Sequence, residues 1–232
     1  MKEIWLNMNQ DIIDTLLTKD FQKSIQNYMT LNFEFGQFKS IQQQECVDKM
    51  NQAIPWYTYP AIEYIKQLDF SSKRIFEYGS GNSSVFWSKR CLFLVSVEDN
   101  QEWYNKIKPK LPYNTEYNFF EDKERYANHI LNFEEKFDVI IIDGKHRYEC
   151  AVASKNKIKD NGLIILDNSD WFEKTAQYLR SLNTIQADMA GFGPINPYTW
   201  TTSFFFTRKF DFPLAGDRQP MHGIGSLPHR EQ

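Results

Sequence analysis

The chain is 232 residues long with 41% hydrophobic residues, which suits one well-filled α/β domain with additions at its ends rather than two separate cores. Its 27 basic and 30 acidic side chains leave a net charge of −3, which offers no general attraction to nucleic acid and implies no polyanionic substrate. Cys46, Cys91 and Cys150 lie far apart with no Cys-x-x-Cys pair, so neither a zinc site nor a disulfide framework is indicated.

In chain order, Ile12, Ile13, Leu16, Leu17, Phe21, Ile25 and Tyr28 recur at helical spacing and predict an amphipathic helix over 10–29, either a cap or the surface of a homodimer. No basic segment leads into an apolar run with a small-residue cleavage site, and no uncharged apolar run reaches the roughly 18 residues that span a bilayer. The expectation is a cytoplasmic protein with no membrane partner. Next, Ile54-Pro55-Trp56-Tyr57-Thr58-Tyr59-Pro60 sets two prolines around three aromatics. The prolines interrupt regular structure, so Trp56, Tyr57 and Tyr59 either form a rigid lid that contacts substrate or pack into the core.

The most telling stretch is Ile75-Phe76-Glu77-Tyr78-Gly79-Ser80-Gly81-Asn82-Ser83-Ser84, an apolar run that ends in an acid and breaks into a glycine turn. Such a turn lets backbone pass close beneath a ligand. Ser83 and Ser84 are expected to cap a helix from Val85 to Arg90. A second buried strand over 92–97 ends in Glu98-Asp99, and Glu98 follows Glu77 by 98 − 77 = 21 residues. In a βαβ unit that spacing puts the second acid where a ribose diol can bond to it. The third glycine of a dinucleotide fold is replaced by Ser84, and Glu77 sits badly beside a diphosphate. A sulfonium nucleoside suits the pattern better than NAD.

Further along, the strand over 116–120 ends in Glu121-Asp122. Phe137-Asp138-Val139-Ile140-Ile141-Ile142-Asp143-Gly144-Lys145-His146-Arg147-Tyr148-Glu149 begins with a β-branched run too apolar for a one-sided sheet, which predicts a central parallel strand with Asp143 at its carboxyl edge. Gly162-Leu163-Ile164-Ile165-Leu166-Asp167-Asn168-Ser169-Asp170 repeats the pattern. Ligands in open α/β sheets bind outside the strand carboxyl ends, so Glu77, Glu98, Asp143 and Asp167 are expected to face one crevice. Asp143, Asp167 and Asn168 offer hard oxygen ligands suited to Mg2+ or Ca2+. The bland readings are a turn at Asp143-Gly144 and helix capping by Asn168, Ser169 or Asp170. After a helix over 175–182, a strand over 184–189 leads into the aromatic loop 191–200 and a last strand over 201–207. The stretch 211–232 is rich in proline and glycine and is expected to be a frayed tail, or an arm on a second subunit.

Glu77 through Ser84 with Glu98 resembles motif I and the following acid of class I S-adenosylmethionine-dependent methyltransferases, over roughly residues 73–207. The resemblance implies an α/β, Rossmann-like class I methyltransferase fold: a mostly parallel sheet with helices on both faces, a C-terminal antiparallel strand pair and an N-terminal helical cap. It divides the chain into a cap and lid segment over 1–72, a cofactor-binding core over 73–210 and a tail over 211–232. It implies S-adenosyl-L-methionine at Glu77, Gly79, Ser80, Gly81, Ser83, Glu98, Asp122 and Asp143. Asp143, Asp167 and Asn168 further resemble the metal site of catechol-type and caffeoyl-coenzyme A-type O-methyltransferases, implying a Mg2+-assisted transfer to an oxygen, or second to a nitrogen, of a small-molecule acceptor. That family often has a lysine three positions after the first Asp; here the position is His146, a competent base or a structural residue at its helix start. The string also resembles bacterial methyltransferases with Asp-Gly-x-His-x-Tyr, and the implied catalytic pair is His146 and Asp143. Asn196, Tyr198 and Trp200 join Trp56 and Tyr57 as candidate substrate contacts. The competing classes are an NAD-type oxidoreductase and a catalytically silent binding or assembly protein that keeps the fold.

Overall fold

The computed structural model describes residues 10–227; the outermost parts of the expected cap and tail, 1–9 and 228–232, lie outside the described residues. Among the described residues seven strands form one sheet: β1 (Arg74–Tyr78), β2 (Phe93–Glu98), β3 (Thr115–Phe119), β4 (Phe137–Ile142), β5 (Ile158–Leu166), β6 (Ile185–Gly191) and β7 (Trp200–Phe206). Their order is β3-β2-β1-β4-β5-β7-β6. The first five run parallel, and β7 is antiparallel to both its neighbours. The order reverses between β1 and β4, the point where open α/β sheets take their ligands.

Strand alternation sorts the apolar runs onto two faces. Ile75, Leu94, Val139, Ile141, Leu163, Ile165 and Phe204 point into one core; Phe76, Tyr78, Val95, Val97, Ile140, Ile142, Ile164, Leu166 and Phe205 point into the other. β4 and the end of β5 are buried on both sides, which is why their sequences do not alternate. Each such aliphatic contributes about 1.5–3 kcal/mol on burial. The same alternation puts Glu77 on the Ile75 face, level with Ser96 of β2.

Nine α-helices are described: α1 (Gln10–Leu17), α2 (Lys19–Met29), α3 (Gln37–Gln43), α4 (Tyr59–Lys66), α5 (Asn82–Ser88), α6 (Gln101–Ile107), α7 (Lys123–Asn128), α8 (Arg147–Ser154) and α9 (Glu173–Ser181). None is long and apolar enough to cross a membrane. The single N-terminal helix expected over 10–29 is two helices. Thr18 breaks it by accepting from the Phe21 amide at 3.2 Å as the N-cap of α2, while its hydroxyl donates to the Thr15 carbonyl. On the expected apolar face Ile12, Ile25 and Tyr28 are exposed; the side chains of Ile13 and Leu17 lie outside the described set.

The expected tail is held. Leu214 bridges to Leu68, the Asp69 amide donates to the Pro213 carbonyl and the Ala215 amide to the Gln67 carbonyl. Further on, the Met221 and Ile224 amides donate to Gln67 Oε1 and Glu63 Oε2. Phe212 is buried with Phe70. This stretch clasps its own α4 rather than fraying, because its backbone groups find partners there.

Candidate active site

The carboxyl ends of β1, β2, β4 and β5 open into a cavity of about 540 Å³, a volume that suits a nucleoside-sized ligand together with part of an acceptor. Its floor is the turn Gly79-Ser80-Gly81. Gly79 has φ +85°, and a Cβ there would lie 2.7 Å from the Gly144 backbone, so the β1 and β4 turns touch and only glycine fits. α5 begins directly after Gly81. Ser83 and Ser84 lie inside its first turn rather than capping it from outside, and the Ser84 hydroxyl accepts from the Gly81 amide at 3.1 Å.

Glu98 is 6% exposed at the end of β2 and organises this floor. Oε2 accepts from the Ser80 amide (3.0 Å) and hydroxyl (2.5 Å), and Oε1 accepts from the amides of Asp99 (3.0 Å) and Asn100 (2.9 Å). Trp103 Nε1 donates to the Ser80 carbonyl at 2.6 Å, and the Ser80 hydroxyl also meets the Tyr117 hydroxyl at 2.6 Å. Burial raises the Glu98 carboxyl despite those donors. Asp99 lines the cleft beside it, paired with Lys145 at 2.8 Å.

Glu77 does not line the cleft. Strand parity aims it beneath α5, fully buried, with Oε2 accepting from the hydroxyls of Ser84 (2.5 Å) and Ser96 (2.8 Å) and Oε1 left without a partner. Burial pushes its carboxyl up to about 7; the surrounding serine hydroxyls only partly offset this, and the charge of Glu98 adds to it.

Asp143 and Asp167, at the ends of β4 and β5, line the cleft with Asn168. Asp167 Oδ1 accepts from the Thr202 hydroxyl (2.5 Å) and Trp200 Nε1 (3.0 Å), which ties β5 to β7. Asp143 Oδ1 pairs with Arg147 Nη2 at 3.2 Å. Burial raises both carboxyls; Arg147 opposes the rise in each, and Asp143 adds to that of Asp167. The donor set does not fit the expected Mg2+. One oxygen of each carboxylate is committed to protein donors, and the guanidinium already supplies a cation at this spot. Asn168 sits at φ +48°, and its backbone carbonyl accepts from the Trp171 and Phe172 amides. Among the described residues no group of three His, Cys, Asp or Glu side chains is placed to hold a metal ion.

The structure brings together Gly79, Ser80, Gly81, Ser83, Glu98, Asp143, Asp167, Asn168, Trp56, Asn196 and Tyr198. It leaves others outside. His146, at φ +54° before α8, meets the Tyr126 ring edge-on and does not line the cleft. Asp122 caps α7 by accepting from the Arg125 amide at 2.9 Å. Tyr57 is fully buried and Tyr59 is 4% exposed, so of the three expected lid aromatics only Trp56, 43% exposed, faces the cavity. Trp200 reaches the site only through Asp167. Sequence reasoning passed over Asp99, Trp103, Arg147 and Trp171, all of which line the cleft. The glycine turn followed by the Glu98 pair was the one local signal pointing toward Asp99 and Trp103.

A parallel sheet in this order, closed by an antiparallel hairpin and opened at its β1–β4 switch point onto an acid-lined cleft, is the Rossmann-like class I methyltransferase fold. No protein-family profile and no curated protein sequence matches the chain. Among solved structures it is similar to precorrin-6y C5,15-methyltransferase from Geobacter metallireducens, with 14% identity and a TM-score of 0.52 over 64% of this chain and 87% of that one. It is also similar to the O-methyltransferase TomG from Streptomyces achromogenes, involved in tomaymycin synthesis and solved with SAM. That likeness has 12% identity and a TM-score of 0.48 over 64% of this chain and 77% of TomG.

Proposed function

We propose that the chain is an S-adenosylmethionine-dependent methyltransferase acting on an oxygen of a small acceptor, with nitrogen as the second choice. The observation that carries this reading is the single cleft into which the Gly79–Gly81 turn, the Glu98-Asp99 pair and Asp143 all open. S-adenosylmethionine would supply an electrophilic sulfonium methyl group; the chain's residues do the rest. The glycine turn gives the donor close backbone contact. Glu98 has its acceptor sites taken by the chain's own donors, and the Ser80 hydroxyl is the donor that a ribose hydroxyl would replace. Five acids, Glu45, Glu98, Asp99, Asp143 and Asp167, line the cleft against two bases, Lys145 and Arg147, which favours a cationic ligand over an anionic one.

The acceptor would enter from the side of Trp56, Asn196 and Tyr198. When its oxygen takes the methyl group, the carbon–sulfur bonding pair leaves with sulfur as a neutral thioether, and the acceptor's hydroxyl proton must go elsewhere. Asp143, raised by burial and facing the cleft, takes that proton in this reading; His146 stands too far aside. Holding donor and acceptor in line supplies most of the rate. No divalent ion takes part.

Titration calorimetry with S-adenosylhomocysteine tests the proposal. The wild-type chain should bind it and ignore NAD, and Glu98→Ala should weaken binding by about tenfold or more through loss of charge-assisted bonds to the turn. Preference for NAD would instead establish the oxidoreductase. Donor binding with no acceptor ever turned over would favour the silent binding protein.

A further inference from the structure

Arg147 is a side chain the sequence offered no role for. It sits at the start of α8 with only 9% of its side chain exposed, yet it lines the cleft. Its guanidinium spans the ends of two strands. Nη2 pairs with Asp143 Oδ1 at 3.2 Å and meets the Asp143 carbonyl at 3.3 Å, Nε donates to the Gly144 carbonyl at 2.9 Å, and Nη1 donates to the Asp167 carbonyl. The Phe172 ring covers its outer side at 4.3 Å. All three nitrogens are therefore used, and the planar fork is locked between β4 and β5. This buried cation joins the Asp143 carboxylate to the Asp167 carbonyl, at the strand ends whose two carboxylates and neighbouring amide are the expected ligands of a hard metal ion.

We propose that Arg147 is the resident cation of this site: its guanidinium takes the place of a divalent ion between Asp143 and Asp167 and holds Asp143 toward the acceptor, so that the transfer is metal-independent. Arg147 is a positioning residue, since it acts through Asp143. The catalytic meaning rests on the methyltransferase reading, whereas the occupancy of the cation place does not. An arginine serves here for a geometric reason. A metal ion needs several free oxygens around a point, while the guanidinium bonds three backbone carbonyls and one carboxylate oxygen.

The test uses Mn2+, read by electron paramagnetic resonance, on the full chain with saturating S-adenosylhomocysteine. Calorimetry of S-adenosylhomocysteine alone is run beside it, so a failure of donor binding is seen separately and counts against the function rather than against Arg147. Wild type should leave Mn2+ free at millimolar concentrations. Arg147→Ala should gain one Mn2+ per chain, because it frees Asp143 beside Asp167 and Asn168, and Asp143→Asn added to it should abolish that gain. Arg147→Lys retains a positive charge and should bind no Mn2+. Stoichiometric Mn2+ on the wild-type chain would overturn the proposal, and so would Arg147→Ala that folds and gains none. The wild-type arm needs no variant, so it stands even where Arg147→Ala fails to fold.

Discussion

Replacing Glu77 by glutamine should make the unliganded protein more stable at neutral and alkaline pH. In the folded chain the carboxyl is raised from 4.5 to about 7 by full burial. Below the lower value both folded and unfolded chains hold the proton and nothing is lost. Between the two the unfolded chain ionises while the native one cannot, so wild-type stability falls as pH rises and the loss is complete above about 7. At ~1.36 kcal/mol per pH unit, the interval amounts to about 3 kcal/mol. The substituted glutamine cannot ionise in either state, and its carbonyl can keep the Ser84 and Ser96 hydroxyl bonds that Oε2 accepts. Its amide group falls where the unpartnered Oε1 lies, a position no more satisfied in the wild type. Asp143 and Asp167 share the same sign of pH dependence but are present in both proteins and largely cancel from the difference. Urea unfolding at about pH 5 and about pH 8 supplies the measurement. The stability of Glu77→Gln relative to wild type should rise by about 2.5 kcal/mol between them, and an unchanged difference would refute the reasoning.

Gly79→Ala should lower the melting temperature and weaken S-adenosylhomocysteine binding. It puts a side chain at φ +85° costing about 1–2 kcal/mol, and pushes a Cβ against the Gly144 backbone; an unchanged melting curve counts against the close approach of the two turns. Asp167→Ala strands the Thr202 hydroxyl and the Trp200 indole N–H in the interior at about 1–3 kcal/mol each, whereas Asp167→Asn can keep an acceptor for both; equal melting temperatures for the two variants would remove Asp167 as the tie to β7. Tyr57→Ala should cost about 3–5 kcal/mol as a core truncation, while Trp56→Ala stays within about 1 kcal/mol; chemical denaturation giving the reverse order would restore Tyr57 to the lid. Donor affinity should fall as pH drops from about 8 to about 6, because protonated Glu77 and Asp143 no longer attract a cation; calorimetry showing S-adenosylmethionine and neutral S-adenosylhomocysteine responding alike to pH would contradict that electrostatic account.

The central sheet was legible because Val139–Ile142 and Leu163–Leu166 are apolar without alternation, which two-sided burial requires and little else produces. The strand ends followed, and with them Glu98, Asp143 and Asp167 at one rim. Glu77 was assigned to that rim although strand parity already put it with Ile75 on the helix-facing side; the glycine motif drew attention to the residue and away from its direction. Around Pro55 and Pro60 there is no period to read, so nothing local separates the buried Tyr57 from the exposed Trp56. Arg147 depends on the meeting of two strand ends, visible only once β4 and β5 are paired. His146 was favoured for its chemistry, and the left-handed turn that swings it toward Tyr126 leaves no mark in residue type.

The clasp on α4 ties partners 154 and 161 residues apart along the chain, Gln67 with Met221 and Glu63 with Ile224. α4 starts three residues after Trp56, so it anchors the segment that carries this aromatic over the cavity. During synthesis, the glycine turn, both central strands and the terminal hairpin all leave the ribosome before the residues that fasten this helix. The far end of α4 is thus fastened last, and a nascent chain halted near residue 210 would carry a complete sheet with the Thr58–Tyr59 start of this helix already held by Met189, Phe192 and Thr202 and its far end still loose.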